Sequence, residues 1–187
     1  GMGEPLMNYK NVVEAIKMIT SKKGLGISAR RIVVSTSGIP KMIKKMADEN
    51  VKFKLAVSLH SAVDNVRTSI MPFNEKMNLS ELKLALKYWY KKTKRIITYE
   101  YIIWQGINDT IEDANALVEF CKFAPSKVNL IQYNAIDDNK FFQASKEKIS
   151  LYQNILEKNN INVTIRRSRG QDIDAACGQL ANKPSLN

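Results

Sequence analysis

Residues 54–60 read KLAVSLH: a short apolar run that closes on a serine, a leucine and the chain's one histidine, His60. The same plan recurs along the chain. Residues 31–35 (RIVVS) run into Thr36 and Ser37, residues 127–132 (KVNLIQ) into Tyr133 and Asn134, and residues 162–166 (NVTIR) into Arg167 and Ser168. Brief β-branched runs bounded by polar residues predict strands. A fifth run, residues 96–103 (IITYEYII), belongs with them.

Between the runs lie longer stretches with helical periodicity, at residues 9–21, 40–50, 80–94, 111–122 and 145–159. Strand and helix alternate, and connections of this length suit crossovers between parallel strands. Local signals agree with the helices. Pro40 can open one, Thr110 can cap another after the turn at residues 106–109, and Ser80 followed by Glu81 offers a cap and an acidic first turn. Gly24 and Gly26 are expected to close the first helix. Four or five strands fall short of the eight of a closed barrel. The expectation is therefore an α/β chain forming the later part of a partial (β/α) barrel, with parallel strands and outer helices. The polar strand ends would then meet on one rim, where such folds place a ligand. For any single serine there, capping the next helix is the competing role.

At 187 residues with 44% hydrophobic content, the chain supports one sizeable core. We expect a single unit over residues 1–182 and a frayed tail over 183–187. No stretch approaches the roughly 20 apolar residues of a membrane helix, and the first residues do not read as a secretory signal. A cytoplasmic protein without a membrane partner is expected. The balance of 29 Lys+Arg against 18 Asp+Glu gives a formal charge of +11, which makes nucleic acid the leading partner. Lysines that merely solvate helix faces are the bland alternative.

The two cysteines make no disulfide framework and lack the close pairing of a metal site, so no metal ligand is assigned. Cys121 sits in FCKF on a helical pattern, where packing is expected. Cys177 differs. Ala175, Ala176 and Gly178 leave its sulfur open, and Arg166, Arg167 and Arg169 favour the thiolate.

Five motifs occur in one order: GMGEP at residues 1–5, STSG at 35–38, SLH at 58–60, NLIQYN at 129–134 and RGQDIDAACGQL at 169–180. Together they resemble the radical S-adenosylmethionine (SAM) methyltransferases that methylate carbon 2 of an adenine in ribosomal RNA and, in some members, transfer RNA. The resemblance implies that Gly3 and Glu4 bind the amino end of SAM, and that Ser35, Ser58, Leu59, His60 and Asn134 contact it. A lone histidine at a strand end is more often a satisfied structural donor than a general base, and His60 is assigned to binding and not to proton transfer. Cys177 is implied as the residue that accepts a methyl group and relays it to RNA, with Arg166, Arg167 and Arg169 on the RNA side. The [4Fe–4S] cluster of the family is held by an upstream CxxxCxxC that this sequence does not contain, as it does not contain the family's accessory domain. The chain alone is therefore expected to be inactive. The sibling enzymes that methylate carbon 8 of adenine are one alternative. A non-catalytic basic RNA-binding module is another, against which the intact DIDAACGQL argues.

Overall fold

The computed structural model describes residues 3–133 and 141–166. Five strands, β1 (Val33–Thr36), β2 (Lys54–Ser58), β3 (Ile97–Ile102), β4 (Ser126–Ile131) and β5 (Asn162–Arg166), form one sheet in the order β1-β2-β3-β4-β5. Every neighbouring pair is parallel. All five expected strands are present, in the α/β architecture expected.

The helices are α1 (Tyr9–Thr20), α2 (Pro40–Asp48), α3 (Asp64–Ile70), α4 (Leu79–Thr93), α5 (Ile111–Cys121) and α6 (Lys146–Lys158). Pro40 opens α2, and Thr110 caps α5 in a reciprocal capping box with Asp113. Two expectations need correction. Asn78, not Ser80, caps α4, its side chain accepting from the Glu81 N–H, because the helix starts at Leu79. Helix α1 ends at Thr20, where the Ser21 N–H bonds back to Lys17 and Met18; Gly24 and Gly26 lie in the turn that follows and do not close the helix. Helix α3 is absent from the sequence reading. Its seven residues, DNVRTSI, offer only the pair Val66 and Ile70 as an apolar face, and its one fully buried side chain is Arg67.

Strands that follow one another in both sequence and space are joined by crossovers whose usual right-handed sense puts the connecting helices on one face. Burial places α2, α4, α5 and α6 against one such face. On β3, Ile97, Tyr99 and Tyr101 are buried while Thr98, Glu100 and Ile102 between them are not. Val128 and Leu130 continue the buried face on β4. Ile43 and Met46 of α2, Leu82, Leu86 and Trp89 of α4, Leu117 of α5 and Leu156 of α6 join it in one core. The other face is polar. Register places Ser35, Ala56, Thr98 and Lys127 in one row across it, and Ser58, Glu100, Asn129 and Thr164 in the next. Among the described residues, no helix is long and apolar enough to cross a membrane.

Candidate cofactor site at the strand ends

The rim begins with Glu4. Gly3 before it has a φ of +134°, a backbone region open to glycine and rarely to other residues, and its missing side chain faces open space. One Glu4 carboxylate oxygen accepts from the Leu6 N–H at 2.9 Å and the Thr36 hydroxyl at 2.6 Å. The other accepts from the Ser37 N–H at 2.7 Å and its hydroxyl at 2.6 Å. Four donors match the roughly four lone-pair sites of a carboxylate. Glu4 thus ties the opening loop to the end of β1, and an incoming ammonium would have to share an oxygen already in use. Gly38, which follows, has a φ of +102°, and a Cβ there would lie 2.9 Å from the Leu82 side chain.

The ends of β1 and β2 are joined by Arg67, which reaches in from α3. Its Nε donates to the Leu59 carbonyl at 3.1 Å, Nη1 to Asn74 Oδ1 at 2.5 Å and Nη2 to the Ser37 carbonyl at 2.7 Å. Asn74 in turn donates to Asp64 Oδ1 at 3.1 Å, and that oxygen also accepts from the Leu79 N–H at 2.9 Å. The cation is thus held mainly by carbonyls, with its nearest carboxylate one residue removed. Burial depresses its pKa to about 10, partly offset by Asp64. The Phe73 ring packs 5.1 Å from the guanidinium carbon.

Asn108 does the same for β2 and β3. Its amide donates to the His60 carbonyl at 2.6 Å and the Ile102 carbonyl at 2.9 Å, while its oxygen accepts from the Trp104 N–H at 2.7 Å. The backbone is thereby held where His60 takes a left-handed φ of 59°, costly for a residue with a Cβ. His60 Nδ1 accepts from the Ile102 N–H at 3.2 Å, so a proton on the neutral ring sits on Nε2. Nδ1 is thus occupied as an acceptor, which leaves the Nε2 N–H as the ring's donor. Burial, reinforced by the nearby Arg67 charge, lowers the His60 pKa to about 4, so the ring is neutral at pH 7.

Ser58 ends β2 on the polar face, and Ser35 is exposed on β1. Leu59 is fully buried in the core; its N–H donates to the Glu100 carbonyl and its own carbonyl is taken by Arg67. Arg166 is exposed at the end of β5. Asn134, Arg167, Arg169 and Cys177 lie outside the described residues. Cys121 is 3% exposed, and burial pushes its thiol up to about 11. Among the described residues, no group of three His, Cys, Asp or Glu side chains could hold a metal ion.

Sequence reasoning missed Arg67, Asn74, Asn108, Glu100 and Asn129. Glu100 interrupts an otherwise apolar and aromatic run, and Asn129 lies within another, signals that a residue-by-residue reading of the strands contains but did not use.

The five-stranded parallel sheet and its helices match part of the fold of a solved radical SAM methyltransferase. A solved radical SAM methyltransferase from Sphaerobacter thermophilus superposes with a TM-score of 0.92 at 38% identity, over 96% of this chain and 52% of that one. A domain of the pyruvate-formate lyase-activating enzyme from Bacteroides vulgatus shares the fold at a TM-score of 0.67 and 17% identity, covering 89% of this chain and 96% of that domain. More particularly, the chain is 66% identical over 98% of its length to proteins from Christiangramia forsetii and Flavobacterium psychrophilum, each named probable dual-specificity RNA methyltransferase RlmN. It spans about half of these relatives, 52% and 53% of their lengths. No protein-family model matches the chain.

Proposed function

We propose that the chain is part of an RNA adenine C2-methyltransferase, that its strand ends hold SAM, and that Cys177 takes the methyl group on its way to RNA. The observation that carries the reading is the single rim: Glu4, Ser35, Ser58 and His60, far apart in sequence, lie at the same end of adjacent parallel strands in a chain 66% identical to proteins named RNA methyltransferases.

SAM fits the described residues. Its amino, ribose and adenine groups are rich in donors, and the polar face offers acceptors, among them a buried carboxylate oxygen of Glu100 with no partner among the described residues. When bound, SAM supplies the methyl group. The chain's own residues would hold and shelter it. Glu4 fixes the opening loop and places negative charge at the rim. Ser35, Ser58 and Asn134 supply polar contacts, and His60, uncharged at neutral pH, sets no positive charge against a cationic sulfonium. A [4Fe–4S] cluster does not fit this chain, because three or four thiolates are needed, the sequence has two cysteines, and Cys121 is buried at the end of α5. No residue here is assigned to it. The formal charge of +11 suits ribosomal or transfer RNA, with Arg166, Arg167 and Arg169 as contacts to phosphate.

The test is expression of the complete reading frame that contains this chain in a host whose RNA lacks 2-methyladenosine. Peptide mass spectrometry should find a methyl thioether on Cys177 and none on Cys121, and nucleoside analysis should find 2-methyladenosine. Cys177→Ala should abolish the product. Formation of 8-methyladenosine would move the chain to the sibling chemistry, and activity surviving in Cys177→Ala would end the relay reading.

A further inference from the structure

Glu100 of β3 and Asn129 of β4 are partners in register on the polar face. Asn129 Nδ2 donates to Glu100 Oε1 at 2.9 Å. That bond leaves each side chain one oxygen, and both remaining oxygens, Glu100 Oε2 and Asn129 Oδ1, are buried with no hydrogen-bond partner among the described residues. The amide orientation follows from chemistry, since the reverse would set Oδ1 against a carboxylate. Two neighbouring buried acceptors with no donor between them are unusual, because buried polar groups are nearly always paired. Stability alone gives no reason for them. The row continues through Ser58, Glu100's partner on β2, and Thr164, Asn129's partner on β5. The pair therefore lies in the middle of the face whose rim is described above.

A ligand satisfying this pair must present two donors on one rigid framework. An adenosine does so twice, through the two hydrogens of its N6 amino group and through its vicinal 2′ and 3′ hydroxyls. We propose that Glu100 and Asn129 form an acceptor pair that binds the donor edge of an adenosine. The inference rests on the methyltransferase reading, in which both the cofactor and the target nucleotide carry that group. A carboxylate receiving a ribose hydroxyl, or an amide oxygen receiving an adenine amine, is ordinary recognition chemistry.

The experiment is a ligand-observed NMR titration of the chain with adenosine, 2′,3′-dideoxyadenosine and N6,N6-dimethyladenosine, repeated on Glu100→Gln. The glutamine is nearly isosteric, keeps an oxygen for Asn129 Nδ2 and puts a donor where Oε2 had been. Adenosine affinity is expected to fall roughly tenfold in the variant, while its urea midpoint holds or rises because an unpaired buried carboxylate oxygen is gone. Weaker binding of the dideoxy compound would assign the pair to the ribose, and of the dimethyl compound to the base. Competition by S-adenosylhomocysteine separates the sources: displacement points to the cofactor, simultaneous binding to the target nucleotide. Equal affinity of Glu100→Gln and wild type, equal affinity of all three nucleosides, or no adenosine binding by the wild type would overturn the proposal. A Glu100→Gln whose affinity and midpoint both fall would mark a structural pair and overturn it too. Failure of the methyltransferase reading shows separately, as missing methylated adenosine and an unmodified Cys177.

Discussion

Replacing Arg67 with methionine keeps much of the side chain's volume and removes the charge and all its donors. Four carbonyl-type acceptors, those of Ser37, Leu59, Asn74 and Ser58, would lose partners at 2.7, 3.1, 2.5 and 3.4 Å. Hydrogen bonds from a charged donor contribute roughly 1.5–3 kcal/mol each, but burying the guanidinium cancels a large part of their sum. The expected net loss is about 3–5 kcal/mol, a large share of the roughly 5–15 kcal/mol that holds a domain together. Urea unfolding followed by fluorescence suits the measurement, because Trp89 and Trp104 are both buried and report the core and the rim. Arg67→Lys should recover only part of the loss, since one ammonium cannot span four acceptors arranged around a planar fork. A loss below about 1 kcal/mol for Arg67→Met would refute the view that this cation joins β1 to β2.

Protonation of His60 should destabilise the chain in acid. Its folded pKa of about 4 lies below the ordinary 6.5, so the unfolded chain binds more protons between those values and stability falls as pH drops through that window. The His60 contribution should reach about 1–3 kcal/mol, and acid unfolding of His60→Gln should lack that share of the slope; an unchanged profile would count against a buried neutral ring. For Cys121, burial and a thiol pushed up to about 11 predict negligible reaction with a soluble thiol reagent at pH 7.5 until the chain unfolds. Rapid native labelling of Cys121, read by peptide mass spectrometry, would contradict its burial in the core at the end of α5.

The sequence by itself determined the five strands, most of the helices and the polar strand ends, because β-branched runs and helical periodicity are local properties written into neighbouring residues. The fate of Cys121 was legible for the same reason, since it stands among apolar residues of a periodic helix. What only the tertiary structure decided is how distant residues meet. Arg67 reads as one more surface cation in DNVRTSI until α3 folds back and buries it against Ser37 and Leu59. Asn108 reads as a turn residue until its amide is found holding His60 and Ile102. Ser80 reads as the cap of α4 until the helix is seen to start at Leu79, which is buried in the core with Leu82 and leaves the capping to Asn78. Glu100 and Asn129 lie 29 positions apart. Strand register alone makes them neighbours, and register depends on how each helix spans the gap between strands, which no local window of sequence contains.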